Sequence, residues 1–179
     1  MRVDDLATRY DYGYWANRKL FDVISQLPPE QFTRAVAGGW GSIRTTLVHV
    51  LSAEWGWLSR CGGRPQRPSR LDPTDYPTAE SLIEAWGAVE GYVREFISTL
   101  KDEDLSRAVE FSNEAGKKRS MLIGELMQHG AAHGVHHRGQ VALMLRLLGY
   151  TPGNFDMLFY YAEKRGVPVA GEGMHVASR

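Results

Sequence analysis

Apolar side chains recur every three or four positions along four long stretches of the chain, which is the pattern of amphipathic helices. The first stretch covers residues 6–24. Asp4 or Asp5 stands just before it, and a carboxylate there can accept hydrogen bonds from the first helical turn. Pro28 and Pro29 lack the backbone N–H that a helix requires, so we expect the first helix to end before them.

The second and third stretches cover residues 43–58 and 80–100, and each follows a hydroxyl residue. Ser42 and Thr78 are placed to cap these helices, because a side-chain oxygen there accepts from a backbone N–H of the first turn. Residues 64–77, between the two helices, are rich in Pro, Arg and Asp. Neither side is large enough to be a separate domain, so this segment is predicted to be a crossing loop.

The last third of the chain combines a predicted hairpin with a fourth long helix. Residues 108–111 and 118–121 are predicted as two short strands around a turn. The fourth helix is predicted over residues 122–148 and ends at Gly149, because glycine readily adopts the left-handed conformation of a helix terminus. A short final helix is predicted over residues 155–164.

These elements predict an all-α fold: a four-helix bundle with a short β-hairpin before the last long helix and a short C-terminal helix. The length of 179 residues and the hydrophobic content of 43% suit one domain with its own core. We expect that domain over residues 1–165 and a flexible, glycine-rich tail over residues 166–179.

Charge and cysteine content narrow the class of protein. Lys+Arg and Asp+Glu both number 21, so no net charge favours nucleic acid or an anionic membrane, and we expect neither partner. Cys61 is the single cysteine, which excludes an internal disulfide; we expect an unreactive surface or loop thiol. The N-terminus lacks the apolar run of a signal peptide, and no stretch reaches the roughly 18 apolar residues of a membrane span, so we expect a cytoplasmic protein.

The fourth helix carries four of the six histidines within nine residues. His133 and His137 are four residues apart near the centre of its apolar stripe, so both should point into the bundle. His129 and His136 fall toward one edge of the stripe. Neutral imidazoles one turn apart can chelate a divalent ion, and the alternative is a pair of hydrogen-bonded core histidines.

Two further positions bear on such a site. His49, on the second helix, is the strongest candidate for a third ligand, although it lies off that helix's apolar stripe and the pattern leaves its role open. Glu54 lies on that stripe, and a buried carboxylate needs a partner such as Arg138 or a histidine ring N–H. The pair is interpreted either as a structural salt bridge or as support for a metal ligand or a proton transfer.

The sequence resembles the DinB-like superfamily, which includes the DNA-damage-inducible and YfiT-type metalloenzymes. The most specific matching segment is His-Gly-Val-His-His-Arg-Gly-Gln at residues 133–140. The other matching segments span most of the chain: Tyr-Trp-Ala-Asn at residues 14–17, Ser-Ile-Arg-Thr-Thr-Leu-Val-His-Val at 42–50, Glu-Trp-Gly-Trp at 54–57, Leu-Leu-Gly at 147–149 and the closing residues 152–161.

The resemblance implies a four-helix bundle that binds one divalent metal ion, most often zinc or nickel, through three histidines. Carried over, these ligands are His49, His133 and His137, and His136 receives no ligand role. Related branches include thiol-dependent enzymes, among them bacillithiol transferases and mycothiol-dependent maleylpyruvate isomerases. A low-molecular-weight thiol is therefore a candidate partner.

The leading hypothesis is a metal-dependent enzyme, a thiol transferase or a hydrolase acting on a small molecule, with Glu54 or Arg138 supporting the site. The alternative is a non-catalytic, stress-related metal-binding or adaptor protein, and a third idea is a bundle that binds a hydrophobic ligand without metal. We also expect a homodimer that uses exposed aromatic side chains: Trp15, Trp55, Trp57 and Tyr160.

Overall fold

The fold is given by a computed structural model that describes residues 1–66, 70–112 and 116–168. Its elements in chain order are α1 (Val3–Ile24), α2 (Pro29–Thr33), α3 (Ile43–Arg60), α4 (Ala79–Thr99), β1 (Ala108–Ser112), β2 (Lys118–Leu122), α5 (Ile123–Leu147) and α6 (Met157–Arg165), with short 3₁₀ turns at Pro73–Asp75 and Asp102–Ser106. The predicted bundle, hairpin and short final helix are confirmed. The turn at residues 113–115 and the predicted tail from residue 169 onward lie outside the described residues.

The four long helices form a bundle with an interleaved order. α1 packs against α4 and α5, and α3 packs against the same two helices. Helices α1 and α3 therefore lie diagonally opposite each other, as do α4 and α5. The prediction of a crossing loop at residues 64–77 is confirmed: α3 and its neighbour α4 run in the same direction, so the chain between them has to pass from one end of the bundle to the other. Two connections join diagonally opposite helices: the segment that contains α2 joins α1 to α3, and the segment that contains the hairpin joins α4 to α5.

The caps of α3 and α4 are confirmed. The Ser42 hydroxyl accepts from the Thr45 N–H at 3.0 Å, and the Thr78 hydroxyl accepts from the Ser81 N–H at 3.2 Å. Each bond satisfies an amide that the helix itself leaves unpaired, and such a cap is worth about 1 kcal/mol. Gly149, after α5, has a φ of 90°, the left-handed conformation that favours glycine at this position.

The predicted N-cap position of α1 at Asp4 or Asp5 is wrong, although the Asp5 side chain does accept the Arg2 N–H at 2.9 Å. The helix starts at Val3, with Arg2 in the capping position, so both aspartates lie within the first turn. Asp102, beyond α4, accepts the Val3 N–H at 2.8 Å, and this distant contact lets the helix begin earlier than its own sequence indicates. Helix α2 was not predicted; Pro29 takes its first helical position, where no N–H is needed.

The predicted aromatic interface is partly wrong. Trp15 and Tyr160 are buried within the chain, where α6 covers α1. The Trp15 indole N–H donates to Glu163 at 2.9 Å. Trp55 and Trp57 are half-buried against the main core. Cys61, expected to be a surface or loop thiol, is buried just after α3, and burial raises the pKa of its thiol to about 11.

A row of apolar side chains on α5 is exposed instead. Val135, Leu143 and Leu147, which we call the α5 apolar row, are 47%, 44% and 57% exposed. Leu143 and Leu147 are one turn apart on the same face of the helix, and Val135 lies two turns earlier, about 80° round the helix from Leu143. No helix in the described part of the chain is long and apolar enough to cross a membrane.

Candidate metal centre

Three histidine imidazoles meet where α3 packs against α5. The Nε2 atom of His133 lies 3.1 Å from Nε2 of His49 and 3.0 Å from Nε2 of His137. One ring nitrogen from each of the three residues lies within 4.8 Å of the other two. His49 is 84 residues from His133 in sequence, so the close packing of these two helices creates the cluster.

The helical phase of α5 separates its four histidines. His137 is buried and His133 is half-buried, while His129 and His136 are exposed. This matches the expectation that His133 and His137 face inward and the other two lie at the edge. His49 is half-buried, on the side of α3 that faces these rings.

The environment keeps the central imidazole neutral. Burial, together with the neighbouring His137 and His49 rings, lowers the pKa of His133 to about 4. Burial also lowers the pKa of His137. A neutral imidazole carries a lone pair on the ring nitrogen that bears no proton, and that lone pair is what a metal ion binds.

The cluster fits a divalent ion that prefers nitrogen ligands. A tetrahedral zinc ion with Zn–N distances of about 2.0–2.1 Å holds its nitrogens about 3.3 Å apart. The two Nε2–Nε2 separations of 3.0 and 3.1 Å are slightly shorter than this, and all three ligand atoms lie within 4.8 Å of one another. An imidazole donor set suits zinc, nickel, iron and copper, so these ligands by themselves do not select the metal.

Trp40 forms one wall of the cluster. Its indole stacks on the His49 ring, with the centroids 4.0 Å apart and the planes at 15°, and is 48% exposed. The backbone N–H of Trp40 donates to the Thr46 hydroxyl at 3.1 Å. A side chain on Gly39 would overlap the Met144 methyl group, so this loop lies close against α5. Trp40 was not among the residues predicted for the site; its place in a glycine-rich loop before a capped helix is the available signal.

Trp57 and His129 form a second aromatic wall. Their ring centroids are 5.2 Å apart and perpendicular, and the His129 ring lies 5.8 Å from that of His133. The Arg60 guanidinium lies over the Trp57 ring at 4.7 Å, a cation–π contact. The cluster therefore has the Trp40 indole stacked directly on His49, while the Trp57 indole lies one ring further away, beyond His129.

Gln140 contacts the cluster from within α5. Its Oε1 lies 2.6 Å from Nδ1 of His137, and its Nε2 lies 3.2 Å from Nε2 of His136. The sequence analysis assigned it no role, although a residue three positions after a histidine on a helix lies on the same face.

Glu54 and Arg138 belong to a buried polar layer that ties α1 to its neighbours. The Tyr14 hydroxyl donates to Glu54 at 2.6 Å, and Arg138 donates to the Asn17 side chain at 3.1 Å. Burial raises the pKa of Glu54 to about 7, although the Tyr14 hydrogen bond and the charge of Arg138 act against it. The observed partner of Glu54 is thus Tyr14, which the sequence analysis did not name.

Together, the interleaved four-helix bundle and the converging imidazoles define a class of helical-bundle proteins with a histidine cluster able to hold a metal ion. The chain belongs to the DinB family, whose model matches residues 1–167.

Two relatives from Bacillus subtilis (strain 168) are similar over most of the chain. Protein DinB is 25% identical over 160 residues, which cover 84% of this chain and 90% of that protein. Protein YizA is 23% identical over 143 residues, covering 80% and 87% respectively.

Solved structures share the fold. A DinB-like protein from Bacillus cereus ATCC 10987 has a TM-score of 0.71 and 22% identity, covering 86% of this chain and 97% of its own. YfiT from Bacillus subtilis, a probable metal-dependent hydrolase with an unusual four-helix bundle topology, has a TM-score of 0.63 and 14% identity, covering 83% and 90%.

Proposed function

We propose that this chain is a metal-dependent enzyme that binds one divalent ion, zinc or nickel, through His49, His133 and His137. The observation that carries the proposal is the convergence of their ring nitrogens, with two Nε2–Nε2 separations of 3.0 and 3.1 Å. Structural histidines in a core usually pair with carbonyl or hydroxyl groups. Here the ring nitrogens of three imidazoles converge on one point, so a single ion can bind all three at once.

A metal ion held by three histidines could also bind a water molecule or a substrate. Three protein ligands keep at least one coordination position open, and a bound ion there acts as a Lewis acid that lowers the pKa of a water or thiol. Because imidazole ligands are neutral, they leave the positive charge of the ion undiminished. The reaction class we propose is hydrolysis or thiol-dependent group transfer on a small molecule, and the description of YfiT as a probable metal-dependent hydrolase supports the first of these.

The walls of the site favour a small substrate with an apolar or planar part. The Trp40 indole stacks on His49 and about half of it is open to solvent, and the Trp57 indole lies beyond His129. An aromatic face contributes apolar contact area at little cost in conformational entropy. A low-molecular-weight thiol is the co-substrate that we propose for the transfer reaction.

Glu54 and Arg138 support this site at a distance. Their hydrogen bonds run to Tyr14 and Asn17 on α1, so we assign them to the alignment of α1 with α3 and α5. Removing either one leaves a polar partner buried without its hydrogen bond, which costs on the order of 1–3 kcal/mol. We therefore expect their loss to lower stability more than metal affinity.

Metal content tests the proposal. Protein purified without a metal-affinity column is analysed for bound metals, and His49→Ala, His133→Ala and His137→Ala are each expected to lower the metal bound per chain. His129→Ala is the matched control on the same helix and is expected to retain the ion. Full retention by the three ligand variants would overturn the ligand assignment.

Activity is tested with hydrolase and thiol-transferase substrate panels. Turnover that a chelator abolishes and added metal restores supports an enzyme. A protein that binds metal, loses thermal stability on chelation and turns over none of the substrates would instead support the non-catalytic binding or adaptor alternative.

A further inference from the structure

Gln140 links a clustered histidine to an exposed one. Its Oε1 lies 2.6 Å from Nδ1 of His137, and its Nε2 lies 3.2 Å from Nε2 of His136. An amide oxygen can only accept a hydrogen bond and an amide nitrogen can only donate. In this orientation the proton of His137 therefore sits on Nδ1, and the Nε2 of His136 accepts from the amide.

The tautomer of His137 decides whether the cluster can take a metal ion. An imidazole that offers Nε2 to an ion must carry its proton on Nδ1. The other tautomer has a ready partner in this structure, because Nε2 of His133 lies only 3.0 Å away from Nε2 of His137. A proton on Nε2 of His137 would be donated to Nε2 of His133. Nε2 of His137 would then have no lone pair for an ion, and the lone pair of His133 would be engaged in the hydrogen bond.

We propose that Gln140 is a positioning residue that holds His137 in the Nδ1–H tautomer, and that His136 keeps the Gln140 amide oriented with its oxygen toward His137. This inference rests on the proposed metal site for its function. The short contact between Oε1 of Gln140 and Nδ1 of His137 favours the form in which Nε2 of His137 carries no proton. It disfavours the form in which His137 and His133 are hydrogen-bonded to each other. The exposed His136 thus has a role without being a ligand.

Two substitutions at Gln140 distinguish the effect of its hydrogen-bond acceptor from the effect of its side-chain shape. Gln140→Leu removes the acceptor and is expected to weaken Zn²⁺ binding by roughly 10–100-fold, the usual effect of losing a hydrogen bond to a ligating histidine. Gln140→Glu keeps an acceptor oxygen and is expected to bind Zn²⁺ close to the wild-type level. Gln128→Leu, the same change at an exposed position of α5, is the matched control and is expected to bind Zn²⁺ as wild type does. Affinity is measured by competition with a chromophoric chelator.

A second measurement reads the tautomer itself in metal-free protein. Nitrogen-15 NMR of the histidine rings distinguishes a protonated Nδ1 from a protonated Nε2. His137 is expected to carry its proton on Nδ1 in wild type and Gln140→Glu, and to move toward Nε2 in Gln140→Leu. His136→Ala is expected to weaken Zn²⁺ binding less than Gln140→Leu does. It removes the partner that orients the Gln140 amide but leaves the amide oxygen available to His137.

The outcomes keep this inference apart from the proposed function. If wild type binds Zn²⁺ and Gln140→Leu binds it equally well, the positioning role is wrong and the metal site stands. If wild type binds no metal but its tautomer still changes in Gln140→Leu, the metal site is wrong and the tautomer control stands. An unchanged tautomer in folded Gln140→Leu overturns the inference, and so does a His136→Ala variant that loses metal as fully as His137→Ala.

Discussion

Glu54→Gln measures the effect of holding a carboxyl group inside the bundle. The Glu54 side chain is buried, and burial raises its pKa from 4.5 to about 7. The hydrogen bond from Tyr14 on α1 and the charge of Arg138 on α5 lower the pKa, and the carboxylate of Glu90 on α4 raises it. Burial outweighs the partners, so the folded chain favours the protonated acid.

The direction of the pH effect follows from the raised pKa. The folded chain holds the Glu54 proton more tightly than the unfolded chain, so this contribution to stability is complete below pH 4.5 and is lost as pH rises through about 7. At 1.36 kcal/mol per pH unit, the interval from 4.5 to about 7 corresponds to about 3 kcal/mol. Gln has nearly the same shape and no titrating proton. The variant should therefore gain about 3 kcal/mol relative to wild type across that interval.

Urea unfolding of metal-free protein, followed by circular dichroism from about pH 4 to pH 8, measures this difference. Subtracting the two proteins cancels the titration of the histidines, which both contain. Tyr14→Phe is the control: it removes a hydrogen bond that lowers the pKa of Glu54, so stability should fall with pH over a wider interval. Unfolding free energies of wild type and Glu54→Gln that run parallel across the pH range would show that Glu54 is not held as the acid.

The other predictions concern the site walls and the surface. The Trp40 ring centroid lies 4.0 Å from that of the proposed ligand His49, so added Ni²⁺ should quench the fluorescence of Trp40. Trp40→Phe should remove most of this quenching while metal still binds. Equal quenching in both proteins would contradict the stacking of Trp40 on His49. Gly39→Ala would displace the methyl end of the flexible, buried Met144 side chain and should destabilise the fold by up to about 1 kcal/mol in urea unfolding. Gly87→Ala, with open space around it, should instead stabilise by about 0.5–1 kcal/mol; a Gly39→Ala variant stabilised as much as Gly87→Ala would refute the close approach. The homodimer stays a prediction, and we now expect the α5 apolar row to form its interface: light scattering should give twice the chain mass, and Leu147→Asp should give the monomer, whereas a monomeric wild type would refute it.

Local signals in the sequence are sufficient for the four long helices and for two of the three clustered histidines. The apolar period places the four long helices, and the hydroxyls of Ser42 and Thr78 act on amides only three residues away. The separation of four residues between His133 and His137 fixes their common face, because helix geometry is the same wherever the helix lies in the fold. These features depend on neighbours along the chain, so the order of residues determines them.

Tertiary packing decides the rest, because the interacting groups are far apart in sequence. His49 meets His133 across 84 residues, and Glu54 meets Tyr14 across 40, so neither contact has a periodic signature. Asp102 moves the start of α1 from a distance of 99 residues. The order of helices in the bundle sets which of these groups meet, and a hydrophobic stripe states that a face is buried without naming the helix that covers it.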